Sequence, residues 1–428
     1  MIPVVESENF QVEPFQFPGE NSRLYRKVAE IVNSVRQEGD SAVVRWTRKF
    51  DCPDFSYADL SIDLTPLVPE KLVSPPLLKA LKQAAQNIEA FSKHQLPASW
   101  KMKGEKGELL GEKITPISRV GVYAPGGKAA YPSTVLMTAV PARVAGVKEI
   151  VLVTPPDRAK TVRPEVLAAA KLAGVTEMYR IGGPQAIAAL AYGTASIRSV
   201  DKIVGPGNIF VQIAKKQVFG QVGIDSLAGP SEVAILADQT ADPDFVAWEI
   251  LAQAEHDELA RSILVTNSPD LAEAVRQIIQ RELPRLKRRP ILEESLRNAS
   301  RIVLFKGALK KGIEIVNRIA SEHVSVQTEN PAEVAAQITN GGAIFVGGFS
   351  PVAVGDYWAG PSHVLPTART ARFFSPLGVQ EFLKRSSWIH YTREKIRQDG
   401  PEIRRLAEAE GLTAHAHSIQ AREQNTEQ

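Results

Sequence analysis

The sequence predicts an α/β protein made of two consecutive incomplete Rossmann-like α/β/α units with parallel sheets, plus helical N-terminal and C-terminal segments. Short continuous apolar runs point to buried parallel strands: VGVYAP from Val120, EIVLVTPP from Glu149, EVAILAD from Glu232 and SILVTN from Ser262. Stretches of helical period alternate with these runs, and Gly- or Pro-containing turns separate several strands from the helices that follow. The alternation extends over residues 120 to 348, too far for one simple sheet of this kind. Two α/β units with a boundary near Leu227–Ser231 is the economical reading.

The elements follow in order. Residues 1–115 read as a mainly helical N-terminal region, since Leu24, Val28, Ile31, Val32 and Val35 recur at helical spacing, as do Leu78, Leu81, Ala85 and Ile88. Asp51–Pro75 is rich in Pro and Asp and reads as loops, and Lys101–Thr115 reads as a hairpin or boundary. Residues 116–230 form the first α/β unit, with strands VGVYAP, EIVLVTPP, EMYRIGG and DKIVG and helices PEVLAAAKLAG, PQAIAALAYG and NIFVQIAKKQVFG. Residues 231–380 form the second, from EVAILAD to GAIFVGG and the loop beyond it. Residues 381–428 form a charged tail: a helix, then Gly411, then a short extended piece with a frayed end. No repeat is visible in the sequence, so any duplication is one of structure only.

Composition excludes several classes. Against 51 Lys and Arg stand 48 Asp and Glu, a net charge of +3, which makes no case for nucleic-acid binding. The single Cys, Cys52, rules out an intramolecular disulfide framework and any Cys-cluster metal site, so nitrogen and oxygen donors must hold a metal, and there are seven His. The N-terminus lacks the apolar core of a secretory signal, and no apolar run approaches the roughly 18 residues of a membrane span. The expected compartment is the cytoplasm.

Five constellations could carry chemistry. Strand–Gly–helix turns at Pro125-Gly126-Gly127, Gly182-Gly183-Pro184-Gln185 and Gly205-Pro206-Gly207-Asn208 place backbone N–H groups where phosphates bind. None completes G-x-G-x-x-G and each alone is as readily an ordinary turn, but three in one unit point to a nucleotide or other anion at the C-terminal ends of the strands. Gln253 and His256 lie three apart near the end of a helix that Asp242 and Pro243 open. Both can reach one ion or substrate, though spacing alone favours a solvated polar face. Glu322-His323 sits at a helix–strand junction, suited to acid–base work or to a structural His. Gly355–His363 is a loop with Asp356, aromatics and a His, or simply a turn with a capping Asp. Glu410–His417 carries His415 and His417 two apart, on the same side if extended: a metal arm or a surface tail. Cys52 has no His nearby in sequence and reads as a poor nucleophile; Arg285–Arg289 reads as a solvated helix end or an anion patch.

Taken together, RVGVYAPGG, STVLMTAVPA, IGGPQAIAALAYGT, VDKIVGPGN, IDSLAGPSEV, LAQAEHD, ASEHV, VGDYWAGPSHVLPT and EGLTAHAHS resemble the histidinol dehydrogenase family in order and spacing over essentially residues 20–420. The resemblance implies an NAD-dependent, four-electron oxidation of L-histidinol to L-histidine through L-histidinal, the last steps of histidine biosynthesis. It implies one zinc ion per subunit on Gln253, His256, Asp356 and His415, and an acid–base pair, Glu322 and His323. Tyr123, Gln185 and Asn208 are its NAD contacts. Ser231, His323 and Glu410, with the zinc ligands, are its substrate contacts. It also implies a homodimer whose sites are shared between subunits through the C-terminal tail, with no nucleic-acid or membrane partner. Aldehyde oxidation would then go through an activated water, without a thioester on Cys52. A metal hydrolase with Glu322 as base would leave the glycine turns unused, and a silent α/β binding protein would make the His structural.

Overall fold

A computed structural model describes residues 2–12, 17–126 and 131–424. It divides into two compact units: the chain up to Gln95 with Ser118–Phe382, and Leu96–Ile117 with the chain from Leu383 onward. The hairpin expected within the N-terminal region thus groups with the tail. In chain order the strands are β1 (Val4–Glu6), β2 (Ser61–Ile62), β3 (Trp100–Lys103), β4 (Leu109–Pro116) and β5 (Arg119–Tyr123). Then come β6 (Glu149–Val153), β7 (Glu177–Tyr179), β8 (Lys202–Val204), β9 (Gly223–Ile224) and β10 (Glu232–Ala237). The last five are β11 (Arg261–Thr266), β12 (Arg301–Leu304), β13 (His323–Gln327), β14 (Ala343–Val346) and β15 (Leu383–His390).

The larger unit holds two six-stranded sheets, ordered β2-β7-β6-β5-β8-β9 and β1-β12-β11-β10-β13-β14. The order is the same in both. From its first central strand the chain steps outward twice on one side, then returns to the other side of that strand for two more. All neighbours are parallel except β2, which runs antiparallel to β7. The duplication is therefore structural, as expected. The N-terminal region, expected to be mainly helical, also supplies one edge strand to each sheet. These strands have three and two residues, too short to leave a period in the sequence.

Burial explains the continuous apolar runs. Every residue of β10 is buried. Val233, Ile235 and Ala237 face a core with helices Pro243–Ala254 and Pro269–Glu282, while Ala234 and Leu236 face one with helix Leu309–Ile319. A strand covered by helices on both faces has no polar side to alternate. In the first sheet, helices Arg23–Glu38 and Asp40–Phe50 pack through Val28, Ile31, Val35, Val43 and Trp46 into the core that contains helix Gly183–Tyr192. Ser22 caps the first of them, accepting from the Tyr25 N–H at 3.1 Å.

The smaller unit is an antiparallel sheet, β15-β4-β3, with helices Arg393–Ala409 and Thr413–Gln424. The extended piece expected after Gly411 is instead this second helix. Its Ala, Gln, Arg and Glu residues favour a helix, and Glu423 near its end pairs with Arg404 at 3.0 Å. On a helix, residues two apart point to different sides, so His415 and His417 do not share a face as an extended segment would have them do. Among the described residues no helix is long and apolar enough to cross a membrane.

Ile235, at the centre of β10, has no exposed surface. Ile235→Ala is expected to lower unfolding free energy by about 2–5 kcal/mol in denaturant titration. A loss under about 1 kcal/mol would mean that β10 is not the packed centre described here.

Candidate active site

The site grows from the pairing of β10 with β13, which sets Val233 beside His323. Glu232, the residue before, uses both of its backbone polar groups on the pair opposite. Its N–H donates to Glu322 Oε2 at 3.0 Å, and its C=O accepts from His323 Nδ1–H at 3.1 Å. A carbonyl can only accept, so the proton sits on Nδ1 and the lone pair of a neutral ring on Nε2. Nε2 is buried without a hydrogen-bond partner and lies 3.7 Å from Asp356 Oδ1. Glu322 comes just before the strand, so its carboxylate and the ring meet at one end of the sheet, Oε2 to Nδ1 at 3.7 Å. Gly342 makes room there: a Cβ would stand 2.5 Å from the Glu322 carbonyl oxygen.

The remaining groups approach from helices that run back along the sheet. Helix Pro243–Ala254 opens on Asp242, which accepts from the Asp244 N–H at 2.8 Å, as its sequence predicted. The face expected to be solvated is not: Glu249 and Gln253 are buried. Gln253 leaves both amide atoms without a partner, while the Glu249 carboxylate accepts from the Val352 N–H at 3.2 Å and so fixes the start of helix Val352–Tyr357, which carries Asp356. His256 lies just past the first helix, exposed at the surface but with protein around it. His363 holds the other end of this assembly. Its Nδ1–H donates to the Asp356 carbonyl at 2.9 Å and its Nε2 accepts from the Thr134 hydroxyl at 3.2 Å.

Electrostatics follows from burial and crowding. Burial, reinforced by the charges of Glu232 and Asp356 and opposed by His323, pushes Glu322 up to about 7. Burial disfavours a charged His323, but the carboxylates of Glu322 and Asp356 outweigh it and raise the ring to about 9. Asp356 stays below the usual carboxylate range: burial raises it, and the His323 ring 3.7 Å away, with the His363 and His256 rings, more than offsets that. Burial lowers His256 and His363, keeping both rings neutral. Neutral imidazole, an ionised carboxylate and an amide with nothing to bond are the donor set a zinc ion takes. Among the described residues no three His, Cys, Asp or Glu converge closely enough to hold an ion on their own. The expected set differs in including an amide and a residue of the smaller unit.

The glycine turns lie elsewhere, at the C-terminal edge of the first sheet. Tyr123 ends β5, and its hydroxyl accepts from the Gly183 N–H at 3.2 Å. Gln185 is wholly buried at the start of helix Gly183–Tyr192, with both amide atoms unpartnered. Asn208 caps helix Ile209–Val218, its Oδ1 accepting from the N–H groups of Phe210 and Val211 at 3.1 and 3.2 Å, which leaves its amide nitrogen to reach outward. Gly127 of the first turn lies outside the described residues. Glu322, His323, Gln253 and Asp356 thus gather at the N-terminal edge of the second sheet, while Tyr123, Gln185 and Asn208 lie at the C-terminal edge of the first.

The sequence pattern of histidinol dehydrogenases matches residues 18–423. Histidinol dehydrogenase of Clostridium acetobutylicum is 46% identical over 403 residues, covering 94% of this chain and 93% of that one. That of Moorella thermoacetica is 48% identical over 399 residues, covering 93% and 94%. The crystal structure of histidinol dehydrogenase from Elizabethkingia anophelis matches with a TM-score of 0.90 and 36% identity, over 96% of this chain and 95% of that one. The chain belongs to the histidinol dehydrogenase family.

The residues expected from resemblance to that family divide between the units. Tyr123, Gln185, Asn208, Ser231, Gln253, His256, Glu322, His323 and Asp356 are in the larger; Glu410 and His415 are in the smaller, exposed at the end of one helix and the start of the next. Ser231 stands immediately before Glu232, and its C=O accepts from the Arg261 N–H at 3.0 Å. Sequence reasoning placed Glu249 on one face with Gln253 and His256 but gave it no role, and it left His363 without one. Glu249 is one helical turn before Gln253, a signal that was available; Glu232 acts through its backbone, for which no side-chain signal exists.

Asp51 is a further partly buried acid. It follows helix Asp40–Phe50, with one carboxylate oxygen buried and unpartnered. Burial lifts it from 3.8 to about 6. Tyr123 is pushed up to about 12 by burial, with the Asp51 charge adding to the rise. A raised folded pKa means the fold favours the protonated acid. The contribution is full below the unfolded value and is lost as pH rises through about 6. Asp51→Asn is therefore expected to be nearly neutral at about pH 4 and to stabilise the fold by about 2 kcal/mol at about pH 8. Melting curves at both pH values check this, and equal shifts would overturn it.

Proposed function

We propose that the chain oxidises L-histidinol to L-histidine through L-histidinal in two steps, each passing a hydride to NAD, as the last steps of histidine biosynthesis. The observation that supports this most is His323: its Nδ1–H is anchored on the Glu232 carbonyl, and its free Nε2 is aimed beside Asp356. In its neutral form, a ring held in that tautomer can take the hydroxyl proton of the alcohol while a hydride leaves the same carbon for NAD, so this step gains as pH rises toward about 9. The aldehyde then adds water. Glu322, held by the Glu232 N–H and lifted toward neutrality by burial, accepts the water proton, and the hydrate gives up the second hydride. The glycine turns, with Tyr123, Gln185 and the Asn208 amide, would hold NAD. Gln253, His256, Asp356 and His415 would hold one zinc ion, with Ser231, His323 and Glu410 completing the substrate contacts. When bound, the zinc supplies a fixed positive charge that orients the substrate's imidazole and amine.

In this reading the working form is a homodimer in the cytoplasm, with Glu410 and His415 of one copy completing the site of the other. The smaller unit supports it. β15 is almost wholly exposed, with Ile389 at 72%, and Leu406 on the following helix is at 70%. So exposed an apolar surface is unusual for a unit that works alone.

Purified protein given histidinol and NAD should form two NADH per histidinol consumed; metal-replete protein that forms none would overturn the assignment. Glu322→Gln is expected to slow oxidation of supplied histidinal about tenfold more than that of histidinol, and equal losses would remove Glu322 from the water step. His415→Asn should lower bound zinc per chain in elemental analysis; unchanged zinc would place the fourth ligand elsewhere.

A further inference from the structure

Lys215 and Gln212 lie three apart on helix Ile209–Val218, on the side that faces the Gly205–Asn208 turn. Each is only 1% exposed, unusual burial for either side chain. Lys215 Nζ donates to the Gly205 carbonyl at 3.0 Å and pairs with Asp225 Oδ1. The other Asp225 oxygen accepts from the Gly205 N–H at 2.8 Å. One buried ion pair therefore occupies both backbone polar groups of a single glycine. That glycine has φ +114°, and a Cβ on it would stand 2.2 Å from the Tyr123 carbonyl oxygen. Gln212 continues the arrangement. Its amide nitrogen donates to the Gly207 carbonyl at 3.2 Å, and its oxygen accepts from the Ala228 N–H at 3.0 Å, on the segment that leads to Ser231.

A buried ion pair gives little net stability over an apolar pair of the same volume, because desolvation offsets the attraction. Its distinctive effect here is directional. The pair clamps the turn from both sides, close against the end of β5, and so fixes the backbone between Tyr123 and Asn208. We propose that Lys215 and Asp225, assisted by Gln212, are positioning residues for the nicotinamide dinucleotide, holding the Gly205–Asn208 turn in the shape that receives it. This rests on the reading that NAD lies along that edge.

The test is steady-state kinetics on the holoenzyme, with NAD varied at saturating histidinol and histidinol varied at saturating NAD. Lys215→Met is expected to raise KM for NAD about tenfold, with kcat and the KM for histidinol within about threefold of wild type. The control is Arg119→Met. Arg119 is a buried cation at the opposite edge of the same sheet, paired with Glu177 at 2.7 Å, and its loss should lower the melting temperature without raising KM for NAD. Should a lone Asp225 prevent folding, the double variant Lys215→Met with Asp225→Leu removes both charges, and Gln212→Met removes a neutral clamp; both are expected to raise KM for NAD. If these variants lose melting temperature as Arg119→Met does and keep a wild-type KM for NAD, the residues are structural only and the proposal falls. A wild-type rate that does not saturate with NAD would overturn the cofactor reading itself, a result distinct from a saturable wild type with unmoved variants.

Discussion

The placement of Glu322 and His323 depends on two hydrogen bonds made by the backbone of one residue. Glu232 opens β10, and parallel pairing with β13 brings its N–H to Glu322 and its C=O to His323. A slip of one residue between these strands would exchange donor for acceptor and turn every side chain to the other face. The register is secured by burial on both faces of β10, where Val233 and Ile235 lock into one core and Ala234 and Leu236 into another. Core packing thereby sets the tautomer of His323: the same contacts that stabilise the sheet decide which ring nitrogen is free. The Glu232 side chain extends the arrangement, accepting from the Ala368 N–H at 3.0 Å and tying down the loop beyond the Asp356 helix.

The two sheets share one strand order yet use opposite edges. In the first, the strand order reverses between β5 and β8, and the C-terminal edge there opens into glycine turns. The equivalent reversal in the second sheet, between β10 and β13, is stitched closed. Asp238 accepts from the Thr240 N–H at 2.9 Å and from the Glu329 N–H at 3.0 Å, joining the two loops that would otherwise part around a ligand. The second sheet's working groups are therefore at its other end, where helices Pro243–Ala254 and Val352–Tyr357 finish. In the proposed reaction the first edge would receive the dinucleotide and the second would carry the acid–base work.

Much of this was legible in the sequence, for physical reasons. The continuous apolar strands announced two-sided burial, and Asp242-Pro243 announced a helix start. Edge strands of two or three residues leave no period, so β1 and β2 were unreadable. Gln253 looked solvated because spacing places it on a polar face; that face is buried, and Glu249 on it is met by the Val352 N–H from about a hundred residues away in sequence. The helix Thr413–Gln424 was missed because an i, i+2 His pair suits a strand as well as it suits nothing in a helix. Its tie to the preceding helix through Arg404 and Glu423 is a tertiary fact.

The unsatisfied polar groups give the final connection between energetics and function. Burying an amide group without a partner costs about 1–3 kcal/mol, and folded proteins avoid it. Among the described residues, Gln185 and Gln253 are the ones that leave both amide atoms buried and unpartnered. Neither is in the middle of a core. Gln185 stands at the start of a helix on the glycine edge of the first sheet, and Gln253 at the end of a helix on the acid–base edge of the second. In the proposed reaction each amide would turn to a ligand at its edge, Gln185 to the dinucleotide and Gln253 to the zinc ion.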